Sequence, residues 1–407
     1  MSLLPVEDAL ERLLRAASAV TATEALPLDM ASGRVLANDL AARLTQPPFD
    51  ASAMDGYAVR AEDIKAIGTE LSVIGTSSAG HAFDGELGKN EAVRIFTGAP
   101  VPAGADTVLI QEDAEITGEG RIRANFQPEE GRHVRPRGQD FTEGEVILQR
   151  GTALDFTKLT VAAAMNHDRL TVFRKPVVAI LATGDELLTP GSTPGPSQII
   201  ASNTFGVGAL LRGAGADILD LGIVPDDEAA IAAAIGQAQA ANADVLVTLG
   251  GASVGDHDLV QKTLKNCGME LDFWKIAMRP GKPLMVGRLG AMQVLGLPGN
   301  PASSLVCALL FAEPLIRKLA HLPALHRKAT VLSASSLPAN GQRQDYMRAR
   351  LIRDSSGHLL AEPFGKQDSS MMKVFAEADC LIVRPPHAPE LPAAAPCPVI
   401  LLRPELA

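Results

Sequence analysis

Four segments in the middle of the chain combine residue types that can do chemistry. Ala182-Thr183-Gly184-Asp185-Glu186-Leu187 sets a hydroxyl, a glycine and two carboxylates directly after an apolar run. Such a set serves either as a helix cap or turn, or as a carboxylate pair for Mg²⁺ or a substrate hydroxyl. Gly250-Gly251-Ala252-Ser253-Val254-Gly255-Asp256-His257-Asp258 also follows an apolar run. Its three glycines and a serine let backbone N–H groups close on an anion at the start of a helix. Pro298-Gly299-Asn300-Pro301-Ala302-Ser303-Ser304 fixes a Gly-Asn pair between two prolines, with Asn300 and Ser303 able to offer side-chain hydrogen bonds. An anion or nucleotide loop fits it better than a plain turn. Between these lies Trp274 to Pro283, where Lys275, Arg279 and Lys282 are held by Pro280, Gly281 and Pro283. The arrangement suits an oxyanion, or else is a solvated basic loop.

Other readings of the same residues compete. Gly251 to Gly255 matches the Gly-x-Ser-x-Gly nucleophile elbow, so a serine hydrolase has to be weighed. Its acid and histidine would come from Asp272, Asp345, His321, His326 or His358, none of which follows a strand signal. Gly281-Lys282 lacks the spacing of a Walker A loop, and Gly206-x-Gly208 lies inside a helical stretch with no strand before it. Two segments nearer the N-terminus also stand out. Phe49 to Val59 packs small residues around Asp55 and Gly56, and Gly131 to Asp140 carries three arginines and ends in a carboxylate.

The elements that must position these residues fall into distinct textures. Val6 to Val20 has helical spacing, with Val6, Ala9, Leu10, Leu13 and Leu14 on one face. From Thr21 to about Arg174, short apolar runs alternate with Gly, Pro and Asp turns, a β-rich rhythm. From Pro176, strands at Val177–Leu181, Ile218–Val224, Val245–Leu249 and Val294–Leu297 alternate with helices at Asn203 to Gly213, after Asp226 (read as the cap), from about His257, and from Ala302 to Leu319. That pattern predicts a doubly wound α/β domain, whose ligands bind at the carboxyl ends of the strands. After His326, short β runs predict a small barrel-like tail.

Composition sets the limits. The chain has 407 residues, 37 basic against 47 acidic side chains and a net charge of −10. This disfavours a non-specific nucleic-acid binder but leaves room for a local anion site. Hydrophobic residues make up 46% and aromatic ones 4%, so the cores are expected to be aliphatic. No long uncharged apolar run suggests a membrane span, and the N-terminus lacks the pattern of a signal peptide. The four scattered cysteines fit reduced thiols in cytoplasm better than disulfides or zinc.

Six segments in order, Ser52-Ala53-Met54-Asp55-Gly56-Tyr57-Ala58, Arg137-Gly138-Gln139-Asp140, Thr183-Gly184-Asp185-Glu186-Leu187, Gly250-Gly251-x-Ser253-x-Gly255, Arg279-Pro280-Gly281-Lys282-Pro283 and Pro298-Gly299-Asn300-Pro301, resemble the MoeA family of molybdopterin molybdenumtransferases. Its eukaryotic relatives include the gephyrin E domain. The resemblance covers essentially the whole chain. It implies Mg²⁺-dependent insertion of molybdate into adenylylated molybdopterin with release of AMP, the final step of molybdenum cofactor biosynthesis. It also implies a cytoplasmic homodimer with shared active sites and a contact with the molybdopterin adenylyltransferase. The implied domains are a discontinuous first domain (1–45 and 144–174), a β-rich inserted domain (46–143), the α/β molybdopterin-binding domain (175–326) and a C-terminal small β-barrel domain (327–407).

By motif match, the resemblance implies that Asp55, Glu186, Asp226 and Asp258 serve catalysis and the metal, with Asp140 supporting them. Thr183, Gly184, Asp185, Gly250, Gly251, Ser253, Gly255, Pro298, Gly299, Asn300 and Ser303 would hold the pterin substrate. Lys275, Arg279, Pro280, Lys282, Arg348 or Arg350, and Ser369 would hold molybdate. Where the family has Gln-Gly-Ser this chain has Gln367-Asp368-Ser369, adding a negative charge beside an expected anion contact. Two rivals share parts of the pattern: a molybdopterin adenylyltransferase, which has the same α/β loops, and a non-catalytic scaffold of the gephyrin kind.

Overall fold

The computed structural model describes residues 3–250, 259–273 and 275–403. The chain forms two compact units, Met1–Glu24 with Phe173–Ala407, and Ala25–Val172.

The first unit is built on a six-stranded sheet in the order Asp217–Val224, Val177–Thr183, Val245–Leu249, Met292–Leu297, Met285–Leu289, Glu270–Phe273. The first four strands are parallel. Their central members are buried on both faces, which is why they read as unbroken apolar runs. Alternate residues separate onto two cores. Val178, Ile180, Val245, Val247 and Leu249 face the helices Asn203–Gly213 and Pro301–Cys307, whereas Ala179, Leu181 and Leu246 face Glu228–Ala240 and Leu259–Asn266. Helices therefore cover both faces, as the doubly wound expectation requires. The last two strands are a difference. They run antiparallel at the edge, and the sequence pattern predicts neither, because Met285–Leu289 and Glu270–Phe273 are short and interrupted by Gly or charge.

Helix boundaries bring further corrections. The Ala-rich helix is capped by Asp227, whose Oδ1 accepts from Ala230 N at 2.9 Å, and not by Asp226. The last helix contains a π-helical turn at Ala308–Ala312 between Pro301–Cys307 and Glu313–Leu319. The first helix, Val6–Ala16, stops short of Val20. Its Val6, Ala9 and Leu13 are buried in the α/β core, and Met1–Glu24 falls in one compact unit with Phe173–Ala407.

The tail forms a closed five-stranded barrel. Gln344–Arg353, Leu359–Pro363, Lys328–Ser333, Pro396–Leu401 and Cys380–Arg384 pair in that order, and Cys380–Arg384 returns to Gln344–Arg353. A sixth short strand, Met278–Arg279 from the basic loop, pairs in parallel with Gln344–Asp345. Glu313 and Arg327, with little of either side chain exposed, form a bidentate pair at 2.7 Å that joins the last helix to the barrel.

The second unit holds a six-stranded sheet, ordered Thr107–Ile110, Gly56–Val59, Glu91–Ile95, Glu70–Ser77, Arg121–Ala124, Ala114–Gly118. Apolar residues on its two faces make separate cores around Tyr57, Leu71 and Leu109 and around Ala58, Val93 and Val108. Leu36, Leu148, Leu154, Leu170 and Val172 build another core beside helix Phe156–Ala164, whose cap Asp155 accepts from Thr157 and Lys158 N. Among the described residues no helix is long and apolar enough to cross a membrane.

Candidate functional site

Parallel pairing aligns the carboxyl ends of three strands, with Ala182 opposite Leu249 and Leu249 opposite Leu297. The loops that follow must therefore converge. They do so closely: a Cβ on Gly250, which has a φ of +97°, would lie 3.0 Å from Thr183 O, and one on Gly299 would lie 3.7 Å from Gly250 Cα. At Gly250 only glycine adopts that backbone conformation without strain. The loops bound a cavity of about 790 Å³ lined by Thr183, Gly184, Glu186, Asp226, Gly250, Lys282, Pro298, Gly299 and Asn300. These residues, all expected from the sequence, share one cleft.

The cleft also contains groups that sequence reasoning missed. Ser202, Asn203 and Thr204 open the helix Asn203–Gly213 onto it, and Ser370 and Met372 reach it from the tail. Asn203 Nδ2 donates to Gly299 O at 2.7 Å. Its Oδ1 and the Thr183 hydroxyl are buried with no hydrogen-bond partner among the described residues. Unmade hydrogen bonds of this kind are costly unless a ligand completes them. Ser202 gives its helix no side-chain cap, leaving backbone donors at that terminus. The available signal is a Ser-Asn-Thr run opening a helix.

Three acids gather at one end. Asp185 Oδ1 accepts from Asp226 N at 3.1 Å. Burial, reinforced by the charges of Asp185 and Glu186, pushes the Asp226 carboxyl above its ordinary value. A cation would relieve that repulsion. Among the described residues no three His, Cys, Asp or Glu side chains converge to hold a metal alone. Mg²⁺ needs fewer: one or two carboxylates with substrate phosphates and water complete its shell. Asp226 and Glu186 fit that demand. Gly251, Ser253, Gly255 and Asp258 lie outside the described residues.

The basic loop contributes to a second, smaller cavity of about 240 Å³, lined by Arg279, Pro280, Asp345, Tyr346, Met347 and Gln367. Arg279 donates from Nε to Asp345 Oδ1 at 2.6 Å and from Nη2 to Oδ2. Gln367 Oε1 accepts from Arg348 N and Nε at 3.0 and 3.2 Å, while Arg348 Nη1 donates to Asp368 O and Met371 O. Arg348 is 1% exposed, its Nη2 has no hydrogen-bond partner among the described residues, and burial lowers its pKa. Arg350 instead pairs with Glu377 at 2.8 Å and stacks on Phe364. Of the two tail arginines, Arg348 is the enclosed one.

Ser369 closes on the α/β loops. Its Oγ accepts from Asn300 Nδ2 at 3.1 Å and its carbonyl from Ala302 N at 3.0 Å. The extra carboxylate of Asp368 is turned into its own loop, accepting from Ser370 N and Oγ, which hold it below its ordinary value. Ser303 is not in the cleft: it is buried in the first turn of its helix. Lys275 lines neither cavity.

In the second unit, pairing of Val134–Arg135 with Ala51–Ser52 brings the two N-terminal motifs side by side. Arg137 N donates to Asp50 Oδ1 at 2.7 Å. Asp55 Oδ1 accepts from Thr97 N at 2.7 Å and from its hydroxyl at 2.8 Å. These bonds, with Arg94 nearby, hold the Asp55 carboxyl below its ordinary value. Arg94 lies between the Tyr57 and Phe96 rings and donates to Gly56 O at 3.0 Å. Asp140 N donates to Gln46 O, and among the described residues no hydrogen bond joins Asp140 to Asp55. Neither Thr97 nor Arg94 stands out in the sequence, because each sits across the sheet from the motif it supports.

Comparison with known proteins matches the chain in three stretches. Residues 4–166 match the MoeA N-terminal region (domains I and II), 179–318 a probable molybdopterin binding domain, and 330–402 the MoeA C-terminal region (domain IV). A molybdopterin molybdenumtransferase of Haemophilus influenzae is 35% identical over 94% of this chain and 94% of its own length. One from Nostoc sp. is 36% identical over 89% of this chain and 85% of its own. The crystal structure of the molybdopterin biosynthesis moea protein from Pyrococcus horikosii superposes with a TM-score of 0.84 at 31% identity, covering 99% of this chain and 100% of that one. Matched between residues 4 and 402 by three models in the family's order, the chain belongs to the MoeA family of molybdopterin molybdenumtransferases.

Proposed function

We propose that this enzyme inserts molybdate into adenylylated molybdopterin and releases AMP. The observation that carries the proposal is the convergence of three strand-end loops on one cleft that holds glycine backbones, Thr183 and Asn203 atoms without a partner among the described residues, and an acid pair. The backbone N–H of Gly299, with the helix terminus at Ser202, orients the phosphoryl oxygens of the substrate, while Gly250, whose N–H is held by Leu297 O, keeps the loops close together. Lys282 supplies a charge to the same group. Arg279, Arg348 and Ser369 form the molybdate contact, with Pro280 shaping the loop and Lys275 and Arg350 outside it.

Asp226 and Glu186 would hold Mg²⁺, with Asp258 as a further candidate. When bound, the ion polarises the phosphoanhydride and stabilises charge on departing AMP. Asp55, ionised and fixed by Thr97, is the acid we assign to activating the reacting centre, with Asp140 in support. The enzyme acts in the cytoplasm as a homodimer with shared active sites, receiving its substrate from the adenylyltransferase.

The test is incubation of the full chain with purified adenylylated molybdopterin, Mg²⁺ and molybdate. Molybdate-dependent AMP release is the expected result. Transfer of AMP from ATP would point to an adenylyltransferase, and neither activity to a scaffold. Arg279→Ala should raise the molybdate requirement by about tenfold, the loss expected of one charge-assisted contact. An unchanged requirement would remove Arg279 from the oxyanion site.

A further inference from the structure

We propose that Asp345 is a specificity-determining residue of the oxyanion corner, rationing the charge of Arg279 so that an anion is selected by fit instead of by charge. The inference rests on the assignment of Arg279 to molybdate. Parallel pairing sets Arg279 directly opposite Asp345, so both side chains leave the same face of the sheet. The Asp345 side chain is 8% exposed and that of Arg279 is 60% exposed, so the carboxylate is the fixed partner and the guanidinium the one presented. A buried carboxylate must be paired, and here both its oxygens are taken by Arg279. Those two bonds use Nε and Nη2, which leaves the Nη1 edge of the guanidinium to face an incoming anion.

The charge balance of the corner follows. The hydrogen bonds of the Arg348 side chain go to Gln367, Asp368 O and Met371 O, and none goes to a carboxylate among the described residues. Arg279 and Arg348 together would give two positive charges beside Gln367 and Met347, and Asp345 cancels one. An anion entering the smaller cavity meets a single oriented Arg279 edge and a reduced field. Phosphate and sulfate carry charge like that of molybdate, so a strong, unneutralised field would retain all three. Weakening the field leaves size and donor placement to decide among them.

The test compares wild type with Asp345→Asn, which keeps the shape of the side chain and removes its charge. Inhibition of molybdate-dependent AMP release by inorganic sulfate and by phosphate is measured, together with the molybdate KM and kcat. One unit charge at this range is expected to tighten sulfate and phosphate inhibition on the order of tenfold. The same field acts on molybdate, so its KM should fall too, but by less than about threefold, so that the ratio of the sulfate or phosphate inhibition constant to the molybdate KM drops. The kcat should change by less than about twofold. Asp345→Glu, which keeps the charge, should hold inhibition near wild type. Unchanged sulfate and phosphate inhibition, or a parallel shift of all three anions in either direction, would overturn the inference and leave Asp345 a structural partner of Arg279. If Asp345→Asn does not fold, Asp345→Ser is measured in its place. Failure of both to fold would likewise make the residue structural. Arg279→Ala keeps the two levels apart: an unchanged molybdate requirement there removes the oxyanion assignment itself, whatever Asp345 does.

Discussion

Asp226 and Asp55 are both carboxylates assigned to the same reaction, yet their surroundings oppose each other. Asp226 sits at the end of a parallel sheet, where burial and two neighbouring acids work against its charge. Asp55 sits on a turn of a mixed sheet, with two Thr97 donors and Arg94 favouring its charge. The first is an incomplete environment that a cation would satisfy. The second is complete from the protein's own atoms. A strand-end cleft therefore supplies a place for ligands, whereas the turn supplies a preset group.

The sharpest way to break this contrast is Asp55→Asn. Loss of a preset charge from the reacting centre should lower molybdate-dependent AMP release by about 100-fold or more, with binding of adenylylated molybdopterin retained. Wild-type turnover would rule the role out. Next is the turn that presents it. A Cβ on Gly56 would lie 2.8 Å from Ile110 Cα and closer still to Leu109 O, all backbone that cannot swing aside. Gly56→Ala should destabilise the second unit by about 3 kcal/mol, read by urea denaturation, a cost of the overpacking kind. A shift of a few tenths would show that the strand pair yields.

Asp226 makes the opposite prediction, since its environment lacks a cation. At Mg²⁺ about 100 times its dissociation constant, wild type should gain about 2.7 kcal/mol. Asp226→Asn should gain less than half of that in a thermal-shift titration. Equal gains in both proteins would place the ion elsewhere. The smallest effect is expected from Thr97→Val. Its loss leaves Asp55 with fewer donors, so the carboxyl rises toward its ordinary range. The depressed group keeps its charge as pH falls, and the variant should lose it sooner. The acid limb of kcat should thus move to higher pH, with about a tenfold loss at its lower end. A limb that stays in place would show that Arg94 and solvent suffice.

Elements with one strong period are legible in the order of the amino acids alone. Val245–Leu249 and Asn203–Gly213 have the bounds that apolar runs and helical spacing assign them. The three loops of the cleft are legible for a related reason, because strand ends locate loops in an α/β sheet. What stays hidden depends on distance along the chain. Met285–Leu289 is short and pairs antiparallel only because Met292–Leu297 is already placed. Thr97 stands 42 residues from Asp55 and is joined to it through the sheet. Asp226 and Asp227 are adjacent, and composition cannot say which one turns toward Ala230; the fold gives the cap to Asp227 and leaves Asp226 to the cleft. Ser303 misleads because a hydroxyl near a loop carries no sign of which way its helix faces.

The short strand Met278–Arg279 bears on how the gene can be cut. Although it comes from the α/β region, its ladder partner belongs to the barrel, and the pair Glu313–Arg327 spans the same junction. A stop codon after residue 326 would remove Arg327 and strand a buried Glu313, while stripping one side of the basic loop of its backbone partners. The barrel is therefore no detachable accessory, and the α/β region excised by itself should be aggregation-prone before it is inactive.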